Sequence, residues 1–129
     1  MKNREIYDSA LRFLAESTNS IDNEDYEERA PYLLAAFCNE VRDTDAAIRC
    51  AHGETQKSFN SVFLSLDSDF PLSEMFCTAA SYYLAAMLVF DDDADLSDRL
   101  YDKFCDSISR IRCTVPALCE NITDRYPFI

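Results

Sequence analysis

The chain has 129 residues, 48% hydrophobic and 12% aromatic, and a net charge of −12 from 24 acidic and 12 basic residues. That length makes one domain with a single core, and so apolar a composition excludes a disordered chain. With no Lys/Arg-rich run and an excess of acids, gripping a phosphate backbone is excluded as the main task.

Four prolines and a single glycine, Gly53, leave few chain breakers, which favours long helices over hairpins. The expected fold is all-α. It is a small bundle of about four helices spanning 1–129 as a single domain, with a loop or short extended segment near 52–70 and an apolar C-terminal tail.

Taken in chain order, Ile6, Tyr7, Ala10, Leu11, Phe13 and Leu14 follow helical spacing and predict a first helix near 3–16. The opening MKNREIYDSALRF lacks the apolar core of a signal peptide, because Asp8 and Arg12 interrupt it. STNSIDNED then supplies turn and capping residues. A second periodic segment carries Tyr26, Ala30, Leu33, Leu34, Phe37 and Val41, with Pro31 inside it. The helix is expected to begin near Ala30 or to bend there. Acidic residues at 24, 25, 27 and 28 suit the positive end of its dipole. A short separate helix is expected from Asp45 to Ala51, capped by Thr44.

Residues 52–70 are ambiguous, since Val62, Leu64 and Leu66 alternate like a strand while Phe59, Val62, Phe63 and Leu66 fit a helical turn. The expectation is a loop with a short extended piece that finds no partner strand. The third helix is predicted over 72–90, with Pro71 at its first position. Leu72, Met75, Phe76, Ala79, Ala80, Tyr83, Leu84, Met87 and Leu88 make one face, and Thr78, Tyr82, Ala85, Ala86 and Val89 the other. A helix apolar all round is central to a bundle or buried against another subunit. The stretch from Met75 to Phe90 carries no charge, yet it falls short of the about 20 apolar residues that span a bilayer. The chain therefore reads as soluble and intracellular. A fourth helix, from about 95 to 113, shows Leu96, Leu100, Phe104, Ile108, Ile111 and Val115 on one stripe. Asp95–Arg99 and Asp106–Arg110 support it, and Pro116 stops it. Beyond it the tail ends in Tyr126, Pro127, Phe128 and Ile129, an apolar cluster of the kind that docks onto something.

Four side-chain groups invite chemistry. Asp91, Asp93 and Asp95, with Ser97 and Asp102, take calcium-loop positions, but Leu96 stands where the sharp turn demands glycine. A corner between two helices needs less: one aspartate caps the new helix and the others suit its N-terminus. Glu24 with Glu27, and Asp92 with Asp95 or Asp95 with Asp98, are paired carboxylates at i,i+3 of the kind that share Mg²⁺ in all-α nucleotide pyrophosphohydrolases. The pairs lie far apart in the sequence. His52, the only histidine, sits beside Gly53 and two residues from Cys50, too close along a loop for a nucleophile–base pair. Cysteines 38, 50, 77, 105, 113 and 119 form no CxxC and read as free thiols without zinc. One glycine also excludes Walker, GxGxxG and GxSxG loops. No cofactor and no metal are expected, and no enzyme.

The segments IYDSALRFLAES, DYEERAPYLLAAF and DFPLSEMFCTAASYYLAAMLVFDDDADLSDRLYDKFCDSISRI together resemble small helical proteins of tailed phages and prophages, the head–tail connector or head-completion adaptors. The pattern is a late apolar helix, an acidic corner and a following amphipathic helix. The resemblance implies a helical bundle that assembles as a ring beneath the portal and does no chemistry. Its partners are then the portal, tail-completion proteins and further copies of itself, with no sequence-specific nucleic-acid binding and no membrane. Location would be the bacterial cytoplasm, and the virion after assembly. Under this resemblance Tyr82, Ala85, Ala86 and Val89, with Tyr126, Phe128 and Ile129, are the expected contact residues. A pyrophosphohydrolase-like enzyme and a small acidic protein-interaction module are the alternatives.

Overall fold

The structure is a computed structural model, and it describes residues 1–14, 23–54 and 61–114. Four α-helices follow in order: α1 (Asn3–Phe13), α2 (Asn23–Ala51), α3 (Cys77–Val89) and α4 (Ala94–Thr114). One 3-10 turn, Glu74–Phe76, precedes α3. The fold is the expected all-α bundle, and none of the described helices is long and apolar enough to cross a membrane.

Helix α3 is the centre. Ala79, Ala80, Leu84, Ala85 and Ala86 are all fully buried, and α1, α2 and α4 pack around them. The apolar residues of α3 divide between two clusters. Cys77, Ala79 and Ala80, with Phe76 of the preceding turn, join Leu34, Phe37 and Val41 of α2. Leu84, Ala85 and Leu88 join Tyr7, Ala10 and Leu11 of α1 and Leu100 of α4. Paired alanines, 79 with 80 and 85 with 86, remove side-chain bulk, so a neighbouring helix can approach closely. Ser97 of α4 uses that proximity, its hydroxyl donating to the Ala86 carbonyl at 2.8 Å.

Helix α2 neither starts at Ala30 nor breaks before Asp45; it is continuous through Pro31. A proline inside a helix leaves the carbonyl four residues earlier without its donor. Here that residue is Glu27, on the exposed side of the helix. The Pro31 carbonyl also accepts from the Leu64 N–H at 3.1 Å. Burial of Ala30, Leu34, Ala35, Phe37 and Cys38 on either side outweighs the missing bond. Thr44 therefore caps nothing. The helix ends where the sequence supplies its only glycine: Gly53 has φ 70°, its N–H bonds Cys50 and the Glu54 N–H bonds Arg49. That is a Schellman end, which needs a left-handed residue.

The start of α3 also departs from expectation. Pro71 is not helical, and the delay has a cause in Asp45. Its buried carboxylate accepts from the Ser73 N–H at 3.0 Å and the Ser73 hydroxyl at 2.7 Å. Arg49 bonds the other oxygen at 2.8 Å. Ser73 is thereby held extended, with φ −62° and ψ 148°, and the helix begins only after it.

Residues 61–70 do find a partner, the N-terminus. Asn3 and Arg4 donate to the carbonyls of Ser68 and Leu66 at 3.0 and 2.8 Å, and Phe70 donates to Met1 at 2.9 Å. A single antiparallel bridge joins Lys2 and Asp69. Buried Asn3 adds side-chain bonds to Ser65 and Ser68. The loop thus satisfies the first N–H groups of α1, which no helix can pair internally.

Two outcomes follow for stability in urea. Leu84→Ala is expected to lose about 2–5 kcal/mol through a cavity, and Asp45→Ala about 2–4 kcal/mol by leaving Ser73 unpaired and taking from Arg49 its nearest carboxylate. Exposed Asp98→Ala should stay within about 0.5 kcal/mol; equal losses at all three positions would refute this assignment of faces. Alkaline pH provides a second check. Burial raises the Cys38 thiol from 9.0 to about 12, with Asp45 and Cys77 adding to it. Burial likewise raises Tyr7 from 10.0 to about 12, helped by Glu27 and Asp8 and opposed by Arg4. Both groups fold neutral, so their stabilisation is complete below their ordinary values and is lost as pH rises toward 12. Urea midpoints are expected to fall steadily above about pH 9, less steeply in Cys38→Ala.

Candidate functional site

The face expected to meet another chain meets α1 instead. Ala85 and Ala86 are 0% and Val89 7% exposed, packed in the cluster that holds Tyr7, Ala10, Leu11 and Leu14. Half-buried Tyr82 stacks on Phe13 at 4.8 Å between centroids, with the Lys103 ammonium 5.9 Å from its ring centre. Ala85, Ala86 and Val89 are therefore interior contacts, and assigning these three to a docking face is corrected. The signal was present in α1, whose stripe of Ile6, Tyr7, Ala10 and Leu11 needed a second apolar surface inside the chain. Tyr126, Phe128 and Ile129 lie outside the described residues.

At the acidic corner the Asp92 and Asp93 N–H groups donate to the Val89 carbonyl at 3.0 and 2.9 Å, closing α3. The Asp93 carboxylate then accepts from the Leu96 N–H at 3.1 Å, which makes it the N-cap of α4. Asp92 accepts from the Tyr26 hydroxyl at 2.8 Å and so ties the corner to α2. Arg29 donates to the Leu88 carbonyl at 3.0 Å. Asp91 and Asp95 are exposed. The carboxylates of the helix pairs have separate partners: Glu27 lies 3.1 Å from the Arg4 guanidinium, which also holds Asp67 at 3.3 Å, and Glu24 is exposed. Among the described residues no three His, Cys, Asp or Glu side chains are grouped to hold a metal ion. Cys50 and His52 are exposed at the closing turn of α2.

Two surfaces among the described residues present aromatic rings that a partner could use. The first is a groove of about 460 Å³ over α3, between α2 and α4. Tyr83 and Met87 form its floor, Glu40 and Val41 one wall, and Tyr101, Phe104, Cys105 and Arg112 the other. Its aromatic rings interlock, Tyr83 to Phe104 at 5.2 Å and Tyr101 to Phe104 at 5.4 Å. Burial raises the Tyr83 pKa, with Glu40 and Tyr101 adding to it, so the hydroxyl stays neutral. The second is a ridge in which Tyr32 and Phe63, 56% and 47% exposed, meet edge to face at 5.2 Å. Val62 beside them is 78% exposed. Sequence reasoning missed both. Tyr32 lies off the apolar stripe of α2, and its four-residue spacing to Ala36 and Glu40 was the available signal. Surfaces of this kind recognise apolar side chains.

Calorimetry with Ca²⁺ or Mg²⁺ at about millimolar concentration should show no saturable heat. A cap predicts instead that Asp93→Asn is near neutral and Asp93→Ala costs about 1 kcal/mol. A one-site isotherm abolished by Asp93→Asn would reverse the assignment. Comparison with family models, with characterised proteins and with solved structures found no match for the chain.

Proposed function

We propose that the chain is a non-enzymatic structural subunit of a tailed phage or prophage, a head–tail connector adaptor that docks below the portal. The observation carrying this reading is the separate employment of the carboxylates. Glu27 engages Arg4, Asp92 accepts from Tyr26 and Asp93 caps α4. A pyrophosphohydrolase needs such groups turned toward one cation; here each braces a joint between helices. The resemblance of the three quoted segments supports the specific assignment. Exposed aromatic surface on a well-packed bundle supports recognition of other proteins. The partners under this reading are the portal, tail-completion proteins and neighbouring copies, with Tyr126, Phe128 and Ile129 as further anchors. A net charge of −12 suits the wall of a conduit through which DNA must slide without being held.

The test sets binding against turnover. Electron microscopy of purified portal rings incubated with the chain is expected to show added density below the ring. Phe63→Asp or deletion of 124–129 should weaken that docking about tenfold or more. No pyrophosphate release is expected from nucleoside triphosphates with Mg²⁺. Turnover that vanishes in Glu27→Gln, a residue outside both surfaces, would overturn the proposal.

A further inference from the structure

We infer that the groove between α2 and α4 is a self-association face, on which a second copy packs with its α4 antiparallel and Cys105 near the two-fold axis. This goes beyond the adaptor reading and does not depend on it.

The bundle has two chemically different ends. At one end α2 and α4 both begin, as the Tyr26–Asp92 hydrogen bond of 2.8 Å records. Exposed Glu24, Asp25, Asp91, Asp93 and Asp95 gather there. At the other end both helices finish, and Ile48 and His52 share a surface depression with Arg110 and Ile111. The groove runs along α4 between these ends. From Tyr101 to Arg112 it spans three helical turns, about 17 Å at 1.5 Å per residue.

The flank of α4 that walls the groove carries Asp98, Tyr101, Cys105, Ser109 and Arg112, all exposed. At 100° per residue these positions fall within one narrow stripe, clear of the core stripe through Leu100, Phe104 and Ile111. Cys105 is its midpoint. Asp98 lies seven residues before it and Arg112 seven after, so two antiparallel copies of the stripe centred on Cys105 place each Asp98 against the other copy's Arg112. Tyr101 then meets Ser109. A parallel arrangement would bring acidic end to acidic end. The pairing closes on itself, because each contact occurs twice under a two-fold.

Charge also argues against other occupants. A basic helix lying along the groove meets Arg112 at one end, and an acidic one meets Glu40 and Asp98. A second copy answers both. The apolar lining supplies the driving force: Tyr101 of the wall is 42% exposed, and Tyr83 and Met87 of the floor are half-buried. Three turns of helix per copy fall below the roughly 800 Å² per partner of a standard interface. A weak dimer is the expectation, with a dissociation constant of about 10–100 µM.

Sedimentation velocity of the full chain under reducing conditions, up to about 500 µM, should show a monomer–dimer equilibrium in that range. Asp98→Arg and Arg112→Asp each place like charges together and should weaken it about tenfold. The double variant exchanges the pair and should recover to within about threefold of the starting affinity. All three keep the unfolding midpoint, since both sites are exposed. Mild oxidation should cross-link the dimer through Cys105, a product lost in Cys105→Ser and retained in Cys50→Ser and Cys113→Ser. A chain that stays monomeric at 500 µM, a double variant no better than the single ones, or cross-linking that survives Cys105→Ser would each overturn the inference. Portal docking is measured separately and can succeed or fail on its own.

Discussion

A helix without a charged residue has little that can face water, and α3 imposes that constraint on the whole fold. Helices α1, α2 and α4 pack around it. The other three helices can then be strongly amphipathic, since each needs to shield only part of α3. The alanines set how near they come, and that nearness lets Ser97 reach the Ala86 carbonyl. Where α2 and α4 stand apart, the shielding is incomplete, and Tyr83 and Met87 remain half-buried. The groove is thus what is left over when three helices surround a fourth.

Polar joints fix what hydrophobic burial leaves free. Apolar packing is non-directional, so it allows α3 to slide or rotate by a residue at little loss. The Asp45–Ser73–Arg49 cluster pins the entry to α3 against α2, and the Tyr26–Asp92 bond pins its exit. Both are held by carboxylates, and one of them, Asp92, belongs to an i,i+3 pair that the spacing offered to Mg²⁺. In a chain this acidic, carboxylates are the common material for joints, and paired spacing along a helix carries little information about a metal.

Periodicity made the helices legible, because an apolar stripe at 3.6-residue spacing is a local property. The bounds of α4 could be read almost to the residue for this reason. Three features were not local and so were misread. A separate helix was expected from Asp45, whereas α2 runs unbroken to Ala51, held by the burial of Ile48 in a cluster with residues far along the chain. Pro71 looks like a helix start until Asp45, on another helix, claims Ser73. The extended piece near Leu66 seemed partnerless, since residues 1–4 show no alternation. The candidate surfaces were hidden for a related reason. An all-round apolar helix invites docking on sequence grounds, whereas the exposed aromatics, Tyr32, Phe63 and Tyr101, are single residues on polar faces that composition does not mark.

The central helix is also the third to be made. Until Val89 has left the ribosome, α1 and α2 have apolar stripes and nothing to lay them on. Residues 1–4 likewise wait for Leu66 to Phe70 before their backbone donors are satisfied. The contacts between α3 and α4 are close in sequence and form fastest. Folding should therefore begin in the second half of the chain and draw the first half in afterward. A nascent chain stalled before α3 would present Phe37, Leu34 and Val41 to its surroundings, and would be a natural client for a chaperone that holds exposed apolar helices.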